Sequence, residues 1–297
     1  MSHIPVLLHE VMDGLQIKPD DVVLDGTING GGHSLAISKL LRKKGVIIGM
    51  DRDEEALKRS KVALKDSLAR VILINDNFRN LDTALEKNGF KYADKILLDI
   101  GLSSDQLEDS GRGFSFQKDE SLLMTFKAYP DENDVTAREI VNTWEGENIE
   151  TIIYGFGEEK FAKRITTAIV ARRKEKPIET TQELVEVIKK NVPRWYAQGR
   201  VNCATKTFQA LRMAVNDELG ALEQGLTNGV KKLKSGGRIA VISFHSLEDR
   251  LIKKFFKEKK EEGIFNSITK KPITPSREEV VNNKRSRSAK LRIAQKN

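Results

Sequence analysis

Three apolar runs in the first third of the chain each end in an aspartate. Val22-Val23-Leu24 precedes Asp25, Gly45 to Met50 precedes Asp51, and Ile96-Leu97-Leu98 precedes Asp99. The first acid opens the stretch Asp25-Gly-Thr-Ile-Asn-Gly-Gly-Gly-His33, and the amphipathic run Ser34 to Leu41 follows. A buried strand, an acid, a glycine loop and a helix describe a ligand site, because glycine lets backbone approach a bound molecule closely and tolerates positive φ. A dinucleotide fingerprint G-x-G-x-x-G counted from Gly30 requires glycine at 35, where Leu35 stands. An acid with glycines behind it suits a cation better than a pyrophosphate. S-adenosylmethionine (SAM), which carries an ammonium and a sulfonium, meets that requirement. Asp51, at the second tip, is placed to accept both ribose hydroxyls of an adenosine. Asp53 is the expected cap of the helix Glu54 to Leu64.

The segment after Asp99 reads Ile-Gly-Leu-Ser-Ser-Asp-Gln106, and Gly111-Arg-Gly-Phe-Ser-Phe116 comes next. In an open parallel sheet, ligands sit beyond the carboxyl ends of the strands near the switch point, which sends Asp99 to the same mouth as Asp25 and Asp51. Gly101, Ser103 and Ser104 would admit a flat substrate there. Arg112 could contact phosphate, and Phe114 and Phe116 could stack on bases; equally, the two rings could seal a seam between domains. Phe78 either lies on an adenine face or joins the core. His245 either faces substrate or sits beside a helix cap formed by Ser246 toward Asp249. His3 and His9 are expected to anchor the N-terminus. Trp144 and Trp195 are expected in the core or between domains, and Cys203 is expected to be structural. No His or Cys pair has ligand spacing, so no metal is expected.

The elements that must position these residues follow from periodicity. Strands are predicted at 21–25, 45–50, 70–75 and 94–99, each followed by a helical pattern, which argues for a parallel sheet with crossover helices. The next strand, 238–244, follows Ser235-Gly236-Gly237. The helical run Thr205 to Leu226 can cross over to it, leaving about a hundred residues that need structure of their own. Asp134 to Val141, Gly146 to Tyr154, Glu158 to Arg172 and Thr181 to Lys190 have helical spacing, with start signals at Asp134-Val-Thr-Ala and at Thr180. They predict a helical domain inserted between the fourth and fifth strands. A helix over Leu247 to Lys260 and an edge strand carrying Leu291 and Ile293 complete the chain.

With 297 residues, 39% hydrophobic and 32% charged, the chain can bury a substantial core. No stretch has the length and apolarity of a membrane span, and Met1 to Leu15 lacks a secretory layout. The single cysteine excludes an internal disulfide and fits a reducing cytoplasm. Residues 253–297 hold fourteen Lys or Arg against five Asp or Glu, a balance of +9, so the rest of the chain contributes −1 to the total of +8. A basic segment on a nearly neutral body points to a polyanion, most simply nucleic acid, or to a solvated tail.

Longer blocks carry a resemblance. They are His3 to Glu10, Asp25 to Ser34, Gly101 to Gln106 with Arg112-Gly-Phe-Ser-Phe, Thr136 to Trp144, Ala204 to Glu218, Ser243 to Arg250 and Arg287-Ser-Ala-Lys-Leu-Arg. In these blocks, spread over nearly the whole chain, the sequence resembles the bacterial 16S rRNA (cytosine-N4)-methyltransferases called RsmH, formerly MraW. The resemblance implies an α/β fold: a Rossmann-like SAM-dependent methyltransferase sheet, formed by residues 1–108 and 205–297, with an all-helical insertion at 109–204 that recognises RNA. It implies methyl transfer to the exocyclic amine of a cytidine in the decoding region of the small ribosomal subunit. SAM contacts would carry over to Gly31, Gly32, His33, Asp51, Phe78, Asp99 and Gln106, joining Asp25 from the residues themselves. Asp99, Ser103 and His245 are the candidates for the chemistry, and Arg112, Phe114, Phe116, Lys284, Arg285 and Arg287 for RNA. A homodimer is left open. The chain departs from the family pattern at Ile28-Asn29, where Phe-Gly is usual, and around Ser121 to Lys127, where acids are usual. An Asp/Asn-Pro-Pro-aromatic loop, used by many amine methyltransferases, is missing. Two other readings remain: a SAM-binding ribosome-assembly factor without catalysis, and a nicotinamide-dependent oxidoreductase, which the failed fingerprint disfavours.

Overall fold

The computed structural model describes residues 5–103, 106–107 and 110–297. It divides into two compact units, one formed by residues 1–103 and 219–297 and the other by 104–218.

The first unit is built on seven strands: β1 (Val22–Asp25), β2 (Val46–Asp51), β3 (Arg70–Asn75), β4 (Ala93–Asp99), β5 (Leu233–Ser243), β6 (Phe265–Ser267) and β7 (Lys290–Lys296). Their order across the sheet is β3-β2-β1-β4-β5-β7-β6. The first five run parallel, as expected, and β7 is antiparallel to β5. Strand order reverses between β1 and β4, so the crevice of this sheet opens at the tips that carry Asp25 and Asp99. Both faces are covered, which is why the central strands read as unbroken apolar runs. Leu24, Ile48, Ile96 and Val241 pack on one side with Leu81, Leu85, Leu222, Leu226 and Ile252. Val23, Ile47, Leu97 and Ile242 pack on the other with Val11, Leu15, Ile37 and Leu64.

Three expectations change. The last strand is not an edge: β6 pairs along its outer side. Arg292, further along the strand, is buried, and its Nε donates to Asp249 Oδ1 at 2.7 Å. The run from Thr205 to Leu226 is two helices, because Asp217 takes a left-handed φ of 47° between Thr205–Asn216 and Glu218–Lys232. The second unit accordingly runs to Glu218. The cap of helix Ser246–Glu261 is His245, paired reciprocally with Glu248, rather than Ser246.

The second unit is helical, as the spacing predicts, with helices Ala137–Thr143, Gly146–Gly157, Ala162–Glu175, Thr181–Asn191, Arg194–Ala197 and Thr205–Asn216. Thr136 and Thr180 cap two of them, and Thr180 forms a full capping box with Glu183. Ile140, Ile149, Ile165, Leu184 and Phe208 are buried at its centre. Asn216 fixes the last helix by donating to Met124 O at 2.7 Å and accepting from Phe126 N at 2.9 Å. At the family departure, Lys127 donates to Asp134 at 2.8 Å. Among the described residues no helix is long and apolar enough to cross a membrane.

Candidate active site

The carboxyl ends of β1, β2 and β4 bring Asp25, Asp51 and Asp99 to one edge of the sheet, all three buried. Asp25 accepts from the Ser34 hydroxyl at 2.6 Å and from Thr27 N at 3.3 Å, and burial raises its pKa. Asp51 accepts from Asn29 N through one oxygen and from Asp53 N through the other, both at 2.9 Å. Those bonds hold the anion, but burial outweighs them and pushes its pKa up to about 6. Asp53 is itself the helix cap, as expected, accepting from Glu55 N at 3.1 Å.

The loop between β1 and helix Gly32–Leu40 is tied to these acids. Thr27 Oγ1 accepts from Asp99 N at 2.6 Å, and Ile28 N donates to Met50 O at 2.9 Å. Asn29 and Gly31 both have positive φ, 51° and 82°. Asparagine tolerates that region better than most residues, so Asn29 can occupy a family glycine position. A Cβ added to Gly30 would meet nothing within 4 Å, so the loop offers open space at this residue. His33 follows in the first helical turn, with Nε2 2.9 Å from Val6 O and Nδ1 3.6 Å from Asp99 Oδ2. A carbonyl can only accept, so Nε2 carries the proton; burial lowers the ring's pKa and keeps it neutral, leaving Nδ1 as an acceptor.

Phe78 begins the turn after β3, half-buried, with its ring against Gly225. Ser103 is buried at the end of the segment leaving β4. Gly101 does not make room for a substrate: a Cβ there would lie 2.5 Å from the ring of Phe244, which fills that approach. His245 Nδ1 accepts from Glu248 N at 3.4 Å, and Nε2 lies 3.0 Å from Glu248 Oε1, so the ring serves the helix start.

In the second unit, Gln106 is buried and its carbonyl accepts from Ser110 at 2.6 Å. Of the residues expected to meet RNA, Arg112 and Phe114 are buried and Phe116 is half-buried. Arg112 donates to Phe126 O at 2.8 Å and to Thr125 O at 3.3 Å. Phe114 stacks on Phe126 at 5.7 Å, and Phe116 meets Phe208 edge-on at 5.5 Å. Lys284 and Arg287 are exposed on the turn Lys284–Ser288, with Arg285 half-buried. His9 is exposed, Cys203 is buried, and His3 and Ser104 lie outside the described residues. Trp195, expected in the core or between domains, is 63% exposed. Thr27 and Ser34 were not singled out in the sequence, and Asn29 only as a departure from the family pattern, although a hydroxyl or amide residue beside a tip acid is the available signal.

A family model described as the MraW methylase family matches residues 1–297. The chain belongs to this family. As an MraW-family methylase it is a methyltransferase, and its donor is SAM. A relative from Clostridium botulinum (strain Kyoto / Type A2), named Ribosomal RNA small subunit methyltransferase H, is 44% identical over 310 residues, spanning 99% of both chains. The protein of the same name from Heliobacterium mobile is 45% identical, spanning 99% of this chain and 98% of its own. A crystal structure from Clostridium thermocellum, of an rRNA-methylase candidate, covers 100% of both chains with a TM-score of 0.50 at 13% identity, which shows a shared fold. The donor set fits SAM: acids answered by amide and hydroxyl donors, a left-handed glycine, and open space at Gly30.

Proposed function

We propose that this MraW-family methylase transfers the methyl group of SAM to the exocyclic N4 amine of a cytidine in the decoding region of 16S rRNA, acting on the small ribosomal subunit. The names of the two relatives and the family-like sequence blocks support the substrate. The observation that carries the chemistry is the convergence of three buried acids at the switch point of the sheet. Asp51 would accept the ribose hydroxyls, Asp25 and the loop through Gly31, Gly32 and His33 would hold the charged methionine end, and Phe78 would border the adenine. Gln106 is a further donor contact that rests on the resemblance alone. SAM supplies an electrophilic methyl on a sulfonium.

The cytosine amine is a poor nucleophile because its lone pair is delocalised into the ring. Holding it in line at about 3–3.5 Å from the methyl removes much of the barrier through orientation. Asp99 Oδ2 and His33 Nδ1 are neighbouring acceptors that can hold the amine hydrogens, favour rehybridisation and receive the proton the nitrogen gives up as its bond to the methyl carbon replaces the sulfur–carbon bond. Ser103 lies on the same segment as Asp99 and would shape the substrate side. His245 acts by fixing the helix start beside β5. The target base must be unstacked to reach the pocket. Lys284, Arg285 and Arg287 would contact phosphates, and a ribosomal substrate would put the protein in the cytoplasm.

Tritiated-methyl transfer to small subunits lacking the modification tests this reading, and label should appear at cytidine N4. SAM binding without transfer would instead identify a ribosome-assembly factor. Because β7 lies inside the sheet, deleting the tail would dismantle the fold; Lys284→Ala with Arg287→Ala is the cleaner probe of RNA contact.

A further inference from the structure

Trp195 keeps 63% of its surface in water although it is ringed by aromatic neighbours. It stands on the short helix Arg194–Ala197, with Phe161 6.0 Å away at 65° and Tyr196 5.8 Å away at 75°. The three rings surround one ammonium: Lys160 Nζ lies 4.5 Å from the Trp195 ring, 5.2 Å from Phe161 and 5.3 Å from Tyr196. Underneath, the fully buried carboxylate of Glu159 ties the assembly down. One oxygen accepts from the Tyr196 hydroxyl at 2.5 Å and the other from Phe161 N at 2.8 Å. Burial, and then that bond to Glu159, holds the Tyr196 hydroxyl in its protonated form.

An aromatic ring this exposed and this firmly supported is preorganised for contact, since little side-chain freedom is left to lose. Its surroundings select the partner. Lys160, Lys163, Arg164, Arg194 and Arg200 are all exposed on the segments that carry the cluster, against one exposed acid, Glu158. A flat indole face within a cationic surface matches an unpaired base and its flanking phosphates, because every base has a π-face and every linkage a charge. We infer that Trp195 and Lys160 form a stacking platform that takes an unpaired base of single-stranded substrate RNA. The inference rests on the rRNA reading above and adds a site within the helical unit to it.

The test uses the full chain, a fluorescein-labelled single-stranded RNA from the target region, and methyl transfer to small subunits. Trp195→Ala should weaken RNA binding about tenfold and raise KM for subunits, leaving SAM affinity and thermal midpoint unchanged. Trp195→Phe should restore most of the binding. Lys160→Ala should lower the slope of log affinity against log salt by about one. Wild-type RNA affinity in Trp195→Ala would overturn the platform, and so would loss of subunit binding with RNA binding intact, which would assign the face to a ribosomal protein. A wild-type chain that binds RNA through Trp195 but transfers no methyl would sink the enzymatic reading and leave the platform standing.

Discussion

The two ends of the parallel sheet carry the same kind of residue under opposite conditions. At the amino ends, Asp94 Oδ1 accepts from Lys234 Nζ at 3.1 Å, and Asp21 Oδ2 lies 3.8 Å from the buried ammonium of Lys95. Those acids are balanced by the protein's own cations. At the carboxyl ends, Asp25 and Asp51 are answered by a hydroxyl and by backbone N–H groups, which orient an anion without neutralising it. Burial then lifts both above the ordinary carboxylate range. One end is built for cohesion; the other tolerates a standing electrostatic cost, a charge held in reserve for the proposed ligand site.

Substitutions at the two ends should separate these roles. Asp51→Ala removes two acceptor oxygens that the ribose would use, so SAM affinity should fall more than about 100-fold by calorimetry. An unchanged affinity would refute its ribose role. Gly30→Ala comes next. Its Cβ meets no protein atom within 4 Å, so the thermal midpoint should hold while SAM affinity drops about tenfold as the methyl enters the ligand's space. A stable variant with full affinity would move the ligand elsewhere. The smallest effect belongs to the opposite end, where Lys234→Ala breaks an exposed ion pair. It should cost below about 1 kcal/mol in denaturant unfolding and leave SAM binding untouched.

What the sequence revealed follows the same physical division. Ile96-Leu97-Leu98 announces a strand covered on both faces, and an acid closing such a run announces a tip, so the sheet and Asp25, Asp51 and Asp99 were legible. Long-range pairing was not. Arg292 reads as a solvated residue until Asp249 is found 2.7 Å away, and β6 has three residues whose strand character comes from β7. Nothing local marks the left-handed Asp217 that splits a continuous helical pattern. His245 escaped as a cap because histidine is not among the usual N-cap residues. Trp195 was misplaced because hydrophobicity alone sends tryptophan inward, and its exposure depends on partners 34 and 35 positions upstream, Phe161 and Lys160.

The pH dependence of SAM affinity bears most directly on the reserved charge at Asp51. The group has a pKa of about 6 without ligand, and ribose hydroxyls donate to its ionised form, so binding must release its proton below that value. SAM keeps its own charges across this interval. Calorimetric titrations between pH 5 and 7 should therefore show affinity rising about tenfold and levelling above pH 6, with Asp51→Asn flattening the profile. An affinity that stays constant or falls over that range would contradict the account.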